Sequence, residues 1–182
     1  YSYKTYSYDE NGNLLNLINE NQEKITYQYD ALSRPVNKTY LYGGVGYTYA
    51  YDSRGNLSNV IAGPSGETIS YTYDNLNRIK SYSLSGGEGT VPAGGLSLSY
   101  DYNPLSLRTK LTYPDGSFIT YNYDTLNRLT SVIASENEAI PIASYTYYPD
   151  GKRKSLTYAN GITTNYAYDE VNNLLAISHN PV

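Results

Sequence analysis

The chain has 182 residues with a net charge of −4 at pH 7, and it contains no Cys, Met or Trp. That length fits one domain with room for a core, and the acidic balance argues against a nucleic-acid groove or a polybasic membrane surface. Disulfides and thiolate metal sites are excluded, no apolar run approaches the roughly 20 residues of a membrane helix, and 25 Tyr against one Phe is the skew of a repeat that demands Tyr.

In chain order, the first element is YSYDENGN at 6–13. Tyr6 and Tyr8 alternate with Ser7, the period of a strand with one aromatic and one polar face. Asp9 then opens a turn, and Gly12 supplies the left-handed backbone that a type I turn with a following bulge needs. YQYDALSR at 27–34 repeats this with Tyr27, Tyr29 and Asp30, and with Ser33 in the place of Gly12. YAYDSRGN at 49–56 supplies Tyr49, Tyr51, Asp52 and Gly55; YTYDNLNR at 71–78 supplies Tyr71, Tyr73, Asp74 and Asn77. A link at 80–98 holds Gly86, Gly87, Gly89, Gly94 and Gly95 and reads as a flexible excursion, because the repeat resumes beyond it. YDYNPLSL at 100–107 is a worn copy with Asn103 at the Asp position. YNYDTLNR at 121–128 restores the pattern with Tyr121, Tyr123, Asp124 and Asn127. A second worn copy, YTYYPDGK at 145–152, has Tyr148 there, and YAYDEVNN at 166–173 ends the series with Tyr166, Tyr168, Asp169 and Asn172. The eight units, starting at 6, 27, 49, 71, 100, 121, 145 and 166, lie 21, 22, 22, 29, 21, 24 and 21 residues apart.

Each unit predicts a β-hairpin. Apolar residues five after the Asp (Leu14, Leu57, Ile79, Leu129, Leu174) and eight after it (Leu17, Val60, Tyr82, Leu111, Val132, Leu156, Ile177) mark the return strand, with Lys38 an exception. Two apolar positions three apart do not share a face of a regular strand. Either the first belongs to the turn, or a bulge resets the register. The links YPDGS at 113–117 and YANGI at 158–162 carry strong hairpin signals of their own. The fold class is therefore all-β: tandem hairpins forming one wide, curled antiparallel sheet of about sixteen strands, a single domain over residues 1–182. Stacked tyrosines are expected on the inner face, and Thr, Ser and Asn on the outer one. The abrupt start and end make the chain read as a fragment of something longer.

Tyr-x-Tyr-Asp followed by x-x-Gly/Asn-Arg/Asn-Leu every 21 or 22 residues, together with LTYPDGSFITYNYD at 111–124 and LTYANGITTNYAYD at 156–169, resembles the YD repeat of Rhs-type proteins. The resemblance spans essentially the whole chain. It implies a β-sheet spiralling into a shell, as in Rhs toxins, the B and C components of insecticidal toxin complexes, and teneurins. In the toxins such a shell encloses a cytotoxic domain; in teneurins it scaffolds adhesion. A secreted or cell-surface setting follows from the same resemblance, as do partners within the rest of its own polypeptide. The chain carries no recognisable Rhs core segment with autoproteolytic aspartates, so cleavage and toxicity do not carry over.

The residues themselves point to structure and not to catalysis. Asp9, Asp30, Asp52, Asp74, Asp124 and Asp169 fall on successive hairpins, roughly 10 Å apart along an edge, each committed to its own turn. That spacing does not bring an acid/base pair together across a cleft. DENGN at 9–13 and GGEGTV at 86–91 begin like calcium loops and then depart from them. Arg34, Arg78 and Arg128, four after the Asp, are placed to pair across the turn. His179, the one histidine, reads as a solvated residue. No catalytic residue, cofactor or metal ligand is assigned. Rows of exposed Tyr leave a carbohydrate-binding or adhesion module as the alternative function, and raw sheet edges leave edge-to-edge self-association open.

Overall fold

The computed structural model describes residues 3–87, 91–92, 95–137 and 140–180; Gly89, Gly94, Pro181 and Val182 lie outside them. Sixteen strands run in chain order: β1 (Thr5–Tyr8), β2 (Leu14–Ile18), β3 (Lys24–Tyr29), β4 (Pro35–Tyr40), β5 (Gly46–Tyr51), β6 (Leu57–Gly63), β7 (Glu67–Tyr73), β8 (Ile79–Ser85), β9 (Leu96–Tyr102), β10 (Arg108–Thr112), β11 (Phe118–Tyr123), β12 (Leu129–Ala134), β13 (Ala143–Tyr147), β14 (Arg153–Tyr158), β15 (Thr163–Tyr168) and β16 (Leu174–Asn180). They form an open antiparallel sheet whose order is the chain order, and Ser135–Asn137 form a single 3-10 turn. The chain divides into two compact units, Tyr1–Leu98 and Ser99–Val182.

Register explains the apolar positions three apart. In β7–β8, Tyr71 faces Tyr82 and Thr72 faces Ser81, but Tyr73 faces Ile79, so Lys80 is an extra residue on the return strand. The same break falls just before the second motif Tyr at Tyr8, Tyr29, Tyr51, Tyr123, Tyr147 and Tyr168. One bulge per hairpin thus returns both apolar residues to the tyrosine face, settling the register in favour of the bulge.

The tyrosine face is mixed, and not the stacked ladder expected from composition. Six of the eight first tyrosines face an aliphatic partner, as in Tyr49↔Val60, Tyr121↔Val132 and Tyr145↔Leu156, while Tyr27 faces Lys38 and Tyr71 faces Tyr82. Ring pairs form at Tyr40–Tyr47, Tyr71–Tyr82 and Tyr148–Tyr168. Lys38, the polar exception, lays its stem on this face, with Nζ 4.8 Å from the Tyr40 ring centre. The opposite face carries cross-strand polar pairs: Asn16 donates to Ser7, Asn59 to Ser70 and Asn122 to Ser131.

The long link is shorter than its spacing suggests, because β8 continues to Ser85 and β9 begins at Leu96. Its start is also held close. A Cβ on Gly86 would stand 2.4 Å from the Gly66 carbonyl oxygen, so only glycine fits there.

Among the described residues, Ala143, Leu156 and Thr164 are the buried ones. The rest of the tyrosine face is mostly half-buried along the middle strands and exposed on β1 and β16, as a single-layer sheet requires. Leu156→Ala should cost about 2 kcal/mol, the low end for a buried leucine, since one side of a single layer stays open to water. Leu175→Ala, at a residue 67% exposed, should stay within about 0.5 kcal/mol. Urea denaturation of both variants checks this.

Candidate functional site

The regular feature of the chain is the row of hairpin turns along one sheet edge. Each is a five-residue loop closed by two backbone bonds. In the Asp124 turn, Asn127 N–H donates to the Asp124 carbonyl at 3.0 Å, and Asp124 N–H donates to the Arg128 carbonyl at 2.9 Å. The third residue after the Asp is left-handed in all eight units: Gly12, Ser33, Gly55, Asn77, Ser106, Asn127, Gly151 and Asn172 all have φ between 59° and 92°. The position was legible because Gly and Asn tolerate that conformation; Ser33 and Ser106 adopt it without that advantage.

The aspartate does more than accept one bond. Asp124 Oδ1 accepts the Leu126 and Arg128 backbone N–H groups, both at 2.9 Å, while Oδ2 accepts Arg128 Nε at 2.7 Å. Asp30 and Asp74 bind Arg34 and Arg78 in the same way. At Asp9, Asp52 and Asp169 the guanidinium is replaced by the amide of Asn13, Asn56 or Asn173. These bonds hold the carboxyls below the ordinary aspartate value: the Asn13 side chain acts on Asp9, the Arg34 side chain on Asp30, and the Arg128 backbone N–H on Asp124. For Asp74, burial pushes upward but the Arg78 bonds outweigh it.

Neighbouring turns are tied by the second tyrosine of the motif. Tyr29 donates its hydroxyl to the Leu14 carbonyl, Tyr51 to Pro35, Tyr73 to Leu57, Tyr123 to Arg108 and Tyr147 to Leu129, at 2.7–3.0 Å. Each acceptor is the residue five after the motif Asp, or Asn103, of the preceding unit. Burial pushes all five phenols above their ordinary value. The cation of the preceding turn covers the ring: Arg34 lies 4.3 Å over Tyr51 and Arg128 4.6 Å over Tyr147. At these two junctions carboxylate, guanidinium and phenol therefore link one repeat to the next, whereas Tyr29 and Tyr73 follow turns closed by the Asn13 and Asn56 amides.

With that geometry in place, similarity to known proteins becomes specific. Residues 2–91 match the family model of the teneurin YD-shell. Among solved structures, the crystal structure of TcdB2-TccC3-TEV aligns over 98% of this chain and 11% of its own, with TM-score 0.61 and 16% identity. TcdB2-TccC3 without its hypervariable C-terminal region gives 0.59 at 15% identity, over 97% of this chain and 11% of that one. A Tc holotoxin pore of Photorhabdus luminescens gives 0.54 at 15% identity, over 98% of this chain and 12% of that one. No curated protein matches. The chain is built of YD repeats of the Rhs type. It spans about a tenth of the length of the toxin chains it matches.

The worn YD repeats show what the turn tolerates. Asn103 Oδ1 accepts the Leu105 and Leu107 N–H groups at 3.0 Å, so the amide keeps both backbone bonds without a charge. Tyr148 cannot do this; there Asp150 accepts the Lys152 backbone N–H and ammonium instead, and the Tyr148 hydroxyl goes to the Tyr166 carbonyl. The YPDGS and YANGI links adopt the same five-residue loop, with Gly116 at φ 86° and Gly161 at 83°. His179 is exposed, yet its Nδ1 meets the Thr164 hydroxyl at 2.9 Å across β15–β16.

Two features of the edge escaped the sequence reading. The Asn partners of Asp9, Asp52 and Asp169 were signalled by the restriction of the fourth residue after the Asp to Arg or Asn. The inter-repeat tyrosine bond was signalled by a second position that is always Tyr and never Phe.

Gly12→Val should destabilise by about 1–2 kcal/mol, because a branched Cβ opposes φ 81°. Gly12→Asn should stay within a few tenths of a kcal/mol, since Asn occupies that position in three other repeats. Thermal melting of the two variants side by side checks the assignment.

Proposed function

We infer that this chain is a non-enzymatic wall segment of a YD shell, part of a secreted or cell-surface polypeptide that encloses a cargo domain or presents an interaction surface. One observation carries the reading: the six motif aspartates and five of the eight second tyrosines are bound within the wall. The aspartates hold their own turns, the second tyrosines hold the preceding repeat, and the cations lie on tyrosine rings. Such a motif supplies rigidity along an edge and leaves no repeated group to act on a substrate. The half-buried tyrosine face suits the lining of a hollow, because its rings pack while water reaches the layer.

The carbohydrate reading needs bare aromatic faces. Arg34, Arg108, Arg128 and Arg153 already lie over Tyr51, Tyr100, Tyr147 and Tyr145, which favours the wall. A glycan array tests this directly: saturable binding by the folded chain would replace the wall reading with the adhesive one. Limited proteolysis of the polypeptide in which these repeats are made tests enclosure. A segment protected until the sheet unfolds supports a cargo; uniform digestion removes that part of the proposal.

A further inference from the structure

We propose that Asn160 is a self-modification site: the Gly161 backbone nitrogen closes on its side-chain amide, ammonia leaves, and water opens the ring to aspartate or isoaspartate. This goes beyond the wall reading, which gives the links between hairpins no chemistry.

Sequence narrows the choice first. A backbone nitrogen that attacks the side chain before it forms a five-membered ring, and a Cβ on the attacking residue obstructs that approach. Two of the asparagines precede glycine, Asn11 and Asn160. Both are exposed, and both hold the third position of the same five-residue loop. The glycine that follows is left-handed in each, with φ 81° at Gly12 and 83° at Gly161. Gly12 N–H donates to the Asp9 carbonyl at 3.1 Å and Gly161 N–H to the Tyr158 carbonyl at 2.9 Å. That bond must open in either loop, so it does not separate them.

The N–H of the fifth loop residue separates them. In the first loop Asp9 Oδ1 accepts it, from Asn13 at 2.8 Å. Tyr158 carries no short acceptor at that place, and Ile162 N–H donates to Asn160 Oδ1 at 3.1 Å. Such a bond folds the side-chain carbonyl over the peptide that follows it, toward the attacking nitrogen. It also sets a backbone donor on the oxygen that gains charge as Gly161 N adds, which is the work of an oxyanion hole.

Two other loops share this geometry without the reactivity. Ser117 N–H donates to Asp115 Oδ1 at 2.9 Å and Lys152 N–H to Asp150 Oδ1 at 3.1 Å, each across a glycine. Those side chains are carboxylates, held below the ordinary aspartate value by the Ser117 and Lys152 side chains. An ionised carboxylate resists a nucleophile, whereas the neutral Asn160 amide can expel ammonia.

The step balances with water as its one co-reactant. Gly161 N gives up its proton and bonds to Asn160 Cγ, and the amide nitrogen leaves with a proton as ammonia. Water adding at Cγ restores the peptide and leaves aspartate. Water adding at the Asn160 backbone carbonyl routes the chain through the side chain as isoaspartate. Aspartate makes a loop of the YPDGS kind, which the chain already uses. Isoaspartate inserts a methylene between Tyr158 and Ile162, whose backbone bond of 3.0 Å closes the loop. The hairpin so altered holds Leu156 opposite Thr164, two of the three buried residues among those described.

Peptide mapping of the chain aged at mildly alkaline pH, with isoaspartate read by an isoaspartyl methyltransferase, tests the proposal. Asn160 should convert about fivefold faster than Asn11, the factor of one hydrogen bond. In urea the two rates should converge, because the loops are gone and both pairs are Asn-Gly. Tyr158→Asp should hand Ile162 N–H to the new carboxylate, as Asp9 does for Asn13, and slow Asn160 about fivefold. Asp9→Tyr should speed Asn11 in return. Conversion of Asn11 as fast as Asn160 overturns the proposal, as does a rate ratio that survives unfolding in urea. So does an Asn160 rate left unchanged in folded Tyr158→Asp.

Discussion

Lowering the pH below about 4 is expected to unfold the sheet through its turns, with several repeats failing together. The motif aspartates have native values held below the ordinary 3.8, through the Asn13 side chain for Asp9, the Asn56 side chain for Asp52 and the Arg128 backbone for Asp124. A carboxyl depressed in the folded state contributes stability above its unfolded value, and that contribution is lost as pH falls through the folded value. Protonation removes acceptor capacity where two backbone N–H groups and a cation or amide converge, so each turn loosens at its tightest point. Flat stability between pH 7 and 2 would show that these bonds contribute nothing. Amide chemical shifts give a sharper check within one molecule. Leu126 and Arg128, on Asp124, should move in this range, whereas Leu105 and Leu107, on the Asn103 amide, should not. Asp124→Asn should copy the Asn103 turn, keeping backbone closure and losing the acid response. At the alkaline end the sign reverses. Tyr29, Tyr51, Tyr73, Tyr123 and Tyr147 are raised by burial, so their stability is present below about pH 10 and fades as pH rises through their native values.

What could be read beforehand follows from how local each interaction is. Turn position, strand period and repeat length are written in stretches of eight residues, and all eight left-handed residues fall where spacing placed them. The return strand was ambiguous because a bulge is a property of two strands. Leu129 and Val132 share a face only because Tyr123 and Tyr121 hold them with Thr130 left over. The tyrosine bond spans 15 to 18 residues, from Tyr73 to Leu57 for example, and ends on a carbonyl that every residue possesses. No side chain at Leu57, Pro35 or Arg108 announces it. Only the demand at the donor end is visible, as Tyr where Phe would supply the same burial. The interplay of Arg34 with both Asp30 and Tyr51 was half legible for the same reason. Its partner four residues back shows in one motif, and its partner in the next motif does not.

Replacing the five inter-repeat tyrosines by phenylalanine, at Tyr29, Tyr51, Tyr73, Tyr123 and Tyr147, is expected to cost about 3–5 kcal/mol in total. Each loses one hydroxyl-to-carbonyl bond of 2.7–3.0 Å, and a hydrogen bond of this kind contributes about 1 kcal/mol net. The acceptors recur once per hairpin, roughly 10 Å apart, so the losses should nearly add. Against the 5–15 kcal/mol that holds a typical domain together, that removes much of the margin while leaving every ring, and therefore nearly all the apolar burial, in place. The matched control is Phe at Tyr27, Tyr49, Tyr71, Tyr121 and Tyr145, the first tyrosines of the same five units. They supply ring area to the same face, and the sum of their changes should stay within about 1 kcal/mol. Urea unfolding of both five-site variants separates two origins for the tyrosine excess. If the sets cost the same, Tyr is chosen for its ring and for tolerance of water, and the hydroxyl bonds are incidental. If the second-position set costs several times more, the motif demands Tyr because its hydroxyl ties each hairpin to the one before, turning eight local turns into one edge.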